Sequence, residues 1–126
     1  MRISFLTLIL ISFAFTSCYK TERNCKDFQT GTFEFETYLN GELVKTTFKR
    51  DDTLEIDFFK GKADSSSVRW INDCEYIATK LNPNSMMERK ALHFKILSTS
   101  EDSYTFEYGI VGETNRQKGS VKKVSE

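Results

Sequence analysis

The stretch TFEFE, residues 32–36, alternates apolar and charged side chains. Successive side chains of a β-strand point to opposite faces, so this alternation predicts a half-buried strand. The dipeptide Asn40-Gly41 follows, and both residues tolerate the positive φ that a two-residue hairpin turn requires. A second alternating segment returns through residues 43–48. Residues 32–48 therefore predict an antiparallel hairpin.

Strand-like segments recur along the rest of the chain. Turn-forming residues separate six more of them, at residues 54–58, 66–70, 74–81, 92–96, 104–108 and 119–124. Ser85 and Glu88 have the spacing of a capping box, which predicts at most a short helical turn near residues 84–90. Eight short strands with mostly hairpin-length connections predict an all-β fold. An eight-stranded antiparallel up-and-down β-barrel is the simplest such fold, because closure of the meander removes both exposed edges.

The apolar member of each alternating pair is expected inside the barrel. The predicted inward residues are Phe33, Phe35, Val44, Phe48, Leu54, Ile56, Phe58, Val68, Trp70, Tyr76, Leu92, Phe94, Ile96, Tyr104, Phe106, Tyr108 and Val121. The intervening acidic residues, including Glu55 and Asp57, are expected on the exposed face. An inward set so rich in aromatic residues can fill a small barrel or line a pocket at one mouth.

The first residues have the layout of a secretory signal peptide. Arg2 precedes an apolar run at residues 3–15, and small residues precede Cys18. The run is shorter than the roughly 20 residues needed to span a bilayer. These features predict a signal peptide at residues 1–17, a tether at residues 18–27 and a single barrel domain at residues 28–126. The alternative is a secreted protein that keeps Cys18 within its mature chain.

The residues around Cys18 resemble the lipobox of bacterial lipoproteins. The segment Phe-Thr-Ser-Cys at residues 15–18 fits it, except that Phe15 stands where Leu is usual. The resemblance implies lipid attachment at Cys18, cleavage before it and acylation of the new amino terminus, and more than one acyl chain is needed for stable anchoring. Tyr19, rather than Asp, follows Cys18, which by the same analogy implies the outer membrane. The periplasmic and surface faces remain alternatives.

Two cysteines remain once Cys18 is assigned to the anchor. In an oxidising compartment, the pair Cys25 and Cys74 predicts a disulfide. Two free thiols are the alternative.

Composition and motifs argue against several function classes. The 18 basic and 18 acidic residues alternate in sign and form no basic stripe, so nucleic-acid binding is not predicted. His93 is the only histidine and is expected to face solvent. The sequence has no second ligand at metal spacing, no triad motif and no glycine-rich phosphate loop. We therefore expect no enzyme activity, no cofactor and no metal.

The mature chain as a whole resembles the small lipocalin-like lipoproteins of Bacteroidetes. The resemblance is carried by CKDFQTGTFEF (25–35), RWINDCEYIATKLNP (69–83) and SYTFEYGIVG (103–112). It implies a lipocalin-like barrel in the cell envelope. Some similar sequences are described as DNA topoisomerase IV, but this chain has no ATP site and no basic surface to support that activity. The short segment Asp-Thr-Leu at residues 52–54 also resembles the O-glycosylation motif of Bacteroidetes, which implies modification of Thr53.

The aromatic and polar residues near the second cysteine are candidates for a ligand site. Trp70, Tyr76 and Tyr108 are expected to form its walls, and Arg69 or Asp73 to fix a polar group. The alternative places Trp70 and Tyr76 in the core. Two functions therefore remain. The chain is either a carrier or sensor of a small, partly apolar ligand, or a structural or protein-interaction envelope lipoprotein with a filled barrel.

Overall fold

A computed structural model describes residues 23–126 of the chain as a closed barrel. A 3₁₀ helix at Cys25–Phe28 precedes eight strands: β1 Gly31–Leu39, β2 Glu42–Arg50, β3 Leu54–Phe59, β4 Lys62–Asn72, β5 Glu75–Lys80, β6 Leu92–Thr99, β7 Ser103–Ile110 and β8 Gln117–Ser125. Each strand pairs with the next, and β8 pairs with β1. The predicted eight-stranded antiparallel barrel is confirmed. The predicted signal peptide and Cys18 lie outside the described residues.

Two of the hairpins have the tight turns that the sequence predicts. Asn40 and Gly41 have φ values of 52° and 82°, and Lys60 and Gly61 have values of 48° and 74°. Positive φ at both central residues matches the right-handed twist of the flanking strands. Both turns lie at the same end of the barrel, together with the loops at 81–91 and 111–116. We call this end the mouth.

The opposite end, which we call the closed end, is covered by the 3₁₀ helix. Cys25 and Phe28 are only 2% and 1% exposed. A disulfide joins Cys25 to Cys74 in the turn between β4 and β5, as predicted. The Arg23 guanidinium also donates a hydrogen bond of 3.0 Å to the carbonyl oxygen of Ile96. The described part of the predicted tether therefore packs against the barrel.

The segment near residues 84–90 forms a hydrogen-bonded turn, which agrees with the prediction of at most a short helical turn there. The Glu88 N–H donates to Ser85 Oγ at 3.2 Å, as in a capping box. The Glu88 carboxylate accepts from the backbone N–H of Asn84 at 2.6 Å, one residue earlier than the motif predicts. The turn thus places the Glu88 side chain over the mouth, where it meets Lys80.

Eight of the 17 predicted inward residues are buried in the core, and Phe35, Trp70, Phe94 and Tyr108 are partly buried against it. Those buried are Phe33, Phe48, Val68, Tyr76, Ile96, Tyr104, Phe106 and Val121. Arg50, Glu55 and Ser66 are buried with them, so the interior is less apolar than the sequence pattern predicts. Among the described residues, no helix has the length and apolar character to cross a membrane.

The facing predicted for β3 was wrong. Leu54, Ile56 and Phe58 lie on the outer face, and Phe58 is 41% exposed. Glu55 and Asp57 point inward instead and line the interior. The cause is the register with β2, which pairs Arg50 with Glu55 and Phe48 with Asp57. Directly paired residues share a face of the sheet, and Arg50 and Phe48 are both inside.

Candidate functional site

The barrel interior contains a cavity of about 240 Å³ that is partly open to solvent. Aromatic side chains dominate its walls, and two carboxylates interrupt them. The lining residues are Phe35, Thr46, Phe48, Glu55, Asp57, Tyr76, Phe94, Tyr104, Phe106, Tyr108 and Val121. A second space of about 270 Å³ lies on the mouth side, where Lys80, Met87 and Glu88 form part of its wall. Both spaces are lined by Glu55, Asp57 and Phe94, so the two adjoin at these residues.

A row of aromatic side chains crosses four strands of the inner face. Trp70, Tyr76, Phe94 and Tyr108 are successive cross-strand partners from β4 to β7. Their ring centroids are 4.7, 4.8 and 5.3 Å apart, and the last two pairs are stacked. We call these four residues the aromatic row. Direct partners on one face are close enough for such rings to pack, so the register aligns the row, and three of its members, Tyr76, Phe94 and Tyr108, form one wall of the cavity.

The structure brings together only part of the predicted ligand site. Tyr76 and Tyr108 line the cavity. Trp70 packs against Tyr76 at the closed end and does not line the cavity. Arg69 and Asp73 are exposed, and the backbone oxygen of Asp73 accepts a hydrogen bond from Gln29. The sequence prediction missed Phe94, although it placed that residue inside the barrel.

Arg50 is the central polar residue of the closed end. A guanidinium has five N–H donors, and all five are used. Nε donates to Gln29 O, Nη1 donates to Glu55 and Tyr76, and Nη2 donates to Phe28 O and Tyr104. Two of these acceptors are backbone oxygens at the end of the 3₁₀ helix and just after it, so Arg50 binds that segment to the barrel interior.

Aromatic rings surround the same guanidinium. Its Cζ lies 4.8 Å from the ring centroid of Phe33 and 4.9 Å from that of Tyr76, and three more rings lie within 6.0 Å. Ring faces attract a cation more strongly when water is excluded. Together with the hydrogen bonds, these contacts compensate for the loss of solvent around a buried charge.

The two inward carboxylates of β3 differ in their partners. Glu55 pairs with Arg50 at 3.1 Å. Burial raises the pKa of Glu55, and the charge of Arg50 opposes that shift. Asp57 forms no hydrogen bond or ion pair with any residue from 23 to 126. Burial first, and then the charges of Glu55 and Asp64, raise the pKa of Asp57 to about 7.

A small ionic cluster lies at the mouth. Lys80 Nζ is 2.8 Å from the Asp64 carboxylate and 2.7 Å from that of Glu88. Lys80 projects from β5, Asp64 from β4, and Glu88 from the turn at 84–90. The cluster therefore ties this turn to the barrel wall beside the outer of the two spaces.

His93 lies on the outer face, as predicted, but it is not isolated there. Its Nδ1 lies 3.0 Å from Arg116 Nη2, and its Nε2 lies 3.0 Å from Glu75 Oε1. Arginine can only donate, so Nδ1 accepts the hydrogen bond from Arg116, and the Nε2–H of His93 donates to the Glu75 carboxylate. The chain Glu75–His93–Arg116 links β5 and β6 to the loop at 111–116. Thr53, the predicted glycosylation site, is exposed in the turn between β2 and β3. Its backbone N–H donates a hydrogen bond to the Asp51 carboxylate.

Within residues 23–126, no group of three or more His, Cys, Asp or Glu side chains is arranged to hold a metal ion. The candidate site is therefore the aromatic cavity with its two carboxylates. The chain matches no protein-family model, and the search of curated proteins found no similar sequence.

Proposed function

We propose that this protein is a lipid-anchored lipoprotein of the bacterial cell envelope that binds a small, partly apolar ligand inside its barrel. The observation that carries the proposal is the cavity, in which seven aromatic residues and two carboxylates surround about 240 Å³. Ligand sites are mostly apolar, with a few placed polar groups, and span about 300–1,000 Å³ for drug-sized molecules. The size of this cavity favours a smaller molecule, part of which can extend into the adjoining space.

Native mass spectrometry of the intact protein, released from lipid nanodiscs, tests ligand binding. We expect a mass in excess of the denatured protein, and the excess should be an extractable small molecule. Thr46 lines the cavity, whereas its neighbour Thr47 points outward on the same strand. Thr46→Phe should therefore remove the excess mass, and the matched control Thr47→Phe should keep it. A bare wild-type protein would contradict the carrier function.

The envelope location has separate support. The signal-like segment 1–17 and the lipobox resemblance at Cys18 favour export and anchoring. The Cys25–Cys74 disulfide is typical of an oxidising compartment outside the cytosol. We expect Cys18→Ser to lose lipid labelling and to leave the membrane fraction, while Cys25→Ser keeps the label. Continued lipidation of Cys18→Ser would contradict the anchor.

A protein-interaction role is the second candidate, and exposed apolar side chains near the mouth favour it. They are Tyr38, Leu43, Phe58, Leu81, Met86, Met87 and Val111. Contiguous exposed apolar surface often marks an interaction site. This role predicts a bare barrel in the native spectrum. It also predicts that Met86→Asp and Met87→Asp abolish partner cross-linking, whereas Thr46→Phe preserves it.

A further inference from the structure

The charged side chains inside the barrel and at its mouth carry an excess of negative charge. Three are basic and five are acidic: Arg50, Lys80, Lys90, Glu55, Asp57, Asp64, Glu88 and Glu113. Lys90 is paired with Glu113 at 3.7 Å. Arg50 is paired with Glu55, and Lys80 is shared by Asp64 and Glu88. Asp57 is left without a partner among the described residues, and it lines both spaces.

Asp57 also faces a second carboxylate across the sheet. Asp57 on β3 and Asp64 on β4 are direct cross-strand partners, and like charges directly opposite each other destabilise a sheet. A positive group beside Asp57 would offset that repulsion. Within residues 23–126, the nearby charges of Lys80 and Arg50 lower the pKa of Asp57 in part, but both cations form their ion pairs with other carboxylates.

The same geometry disfavours an anionic ligand. All five donors of Arg50 bind protein acceptors, and Lys80 is shared by two carboxylates. Lys90, which lines the outer space, is paired with Glu113. An anion beside Asp57 would therefore meet only cations that already have carboxylate partners, and it would be repelled by Asp57 and Glu55. The walls next to Asp57 include aromatic side chains such as Phe94, which offer apolar surface to the rest of a ligand.

We propose that the barrel binds a small organic cation, an amine or quaternary ammonium with an apolar part. The charged end binds the Asp57 carboxylate, and the apolar part packs against the Tyr76, Phe94 and Tyr108 rings of the aromatic row. This inference rests on the proposed ligand-binding function and adds the chemical class of the ligand.

Three probes that share one phenyl group but differ in charge test the proposal. They are phenethylamine, phenethyl alcohol and phenylacetate. Each is titrated calorimetrically into the full protein carried in phosphatidylcholine nanodiscs, with protein-free nanodiscs as the blank. A charge-assisted hydrogen bond in a partly desolvated site should make the amine bind about tenfold or more tightly than the alcohol. Phenylacetate should bind most weakly.

Asp57→Asn keeps the shape of the side chain and removes its charge. In this variant the amine and the alcohol should bind within about twofold of each other, because the charge-assisted bond is lost. The matched control is Asp52→Asn, which makes the same change in the exposed turn between β2 and β3. It should leave the preference for the amine intact.

The outcomes separate this inference from the proposed function. Equal binding of all three probes would overturn the cation class and leave ligand binding standing. A preference for the amine that survives in Asp57→Asn would overturn the assignment to Asp57. Binding of none of the three would overturn the cation class, and the native mass spectrum would then decide independently whether the barrel carries any ligand.

Discussion

Arg50 and Glu55 are direct cross-strand partners inside the barrel, joined by an ion pair of 3.1 Å between Nη1 and Oε2. The side chain of Arg50 is fully buried, and that of Glu55 is 10% exposed. A buried pair gains little net stability over apolar residues, yet removal of one partner leaves the other charge uncompensated. The pair fixes which face of β3 is inside, and thereby places Asp57 in the cavity.

Arg50→Met should destabilise the fold by about 3–5 kcal/mol, because Glu55 becomes an unpaired buried acid and the 3₁₀ helix loses two hydrogen bonds. Urea denaturation measures the loss. Arg50→Met combined with Glu55→Gln should recover part of it. Lys49→Met, the exposed neighbour on β2, should change stability by less than about 0.5 kcal/mol. Equal effects of Arg50→Met and Lys49→Met would contradict the central role of Arg50.

Asp57 should make stability depend on pH. Its pKa is about 7 in the folded protein against an ordinary value of 3.8, so between these values the folded state binds more protons than the unfolded state. The stability that this group contributes is fully present below its ordinary pKa of 3.8 and is lost as the pH rises through its folded-state pKa of about 7. Relative to Asp57→Asn, the wild type should lose about 3–4 kcal/mol between about pH 4 and about pH 8.

The measurement is urea denaturation of both proteins across this pH range. Asp52→Asn, a change in an exposed turn, serves as the control and should follow the wild type. A difference between wild type and Asp57→Asn that does not vary with pH would show that Asp57 is ionised without cost in the folded protein.

Trp70→Ala should lower the stability of the fold and should have no direct effect on ligand binding. The indole packs 4.7 Å from the Tyr76 ring and 5.5 Å from the Arg50 guanidinium, and its removal should cost about 3–5 kcal/mol. Tyr38→Ala, at a side chain that is 73% exposed, should cost far less. If Trp70→Ala folds with nearly normal stability and loses its ligand, Trp70 belongs to the binding site after all.

The disulfide should contribute about 4 kcal/mol in the chain-entropy account, since Cys25 and Cys74 have a sequence separation of 49. The double variant Cys25→Ser, Cys74→Ser should unfold at correspondingly lower urea. A reductant should destabilise the wild type to a similar extent and leave the double variant unchanged. Insensitivity of the wild type to reductant would contradict a stabilising disulfide.

The sequence predicted the barrel because period-two alternation and two-residue turns are local signals. The facing of β3 was not predictable in the same way. Alternation shows that Leu54, Ile56 and Phe58 share a face but does not identify the inner one, and here the pairing of Arg50 with Glu55 decides it. One feature of the sequence could have identified the inner face. Arg50 lies two residues after Phe48 on β2 and so shares its inward face, and a buried arginine needs an acidic partner such as Glu55.

The contacts within the aromatic row were also only partly predictable from the sequence. Trp70 and Tyr76 flank one short turn, so their pairing follows from local sequence. The pairing of Tyr76 with Phe94 depends on strands joined by the loop at 81–91, whose length leaves their register open. Phe94 could therefore be placed inside the barrel from its sequence, but not next to Tyr76.

The disulfide at the closed end also determines how the barrel can stand on a membrane. With Cys18 as the proposed lipid anchor, six residues lie between it and Cys25, and the seven residue steps from Cys18 to Cys25 reach at most about 25 Å. In that arrangement the closed end would stay near the bilayer surface, and the mouth, at the far end of the barrel, would face away from it. A ligand would then enter from the aqueous side rather than directly from the lipid.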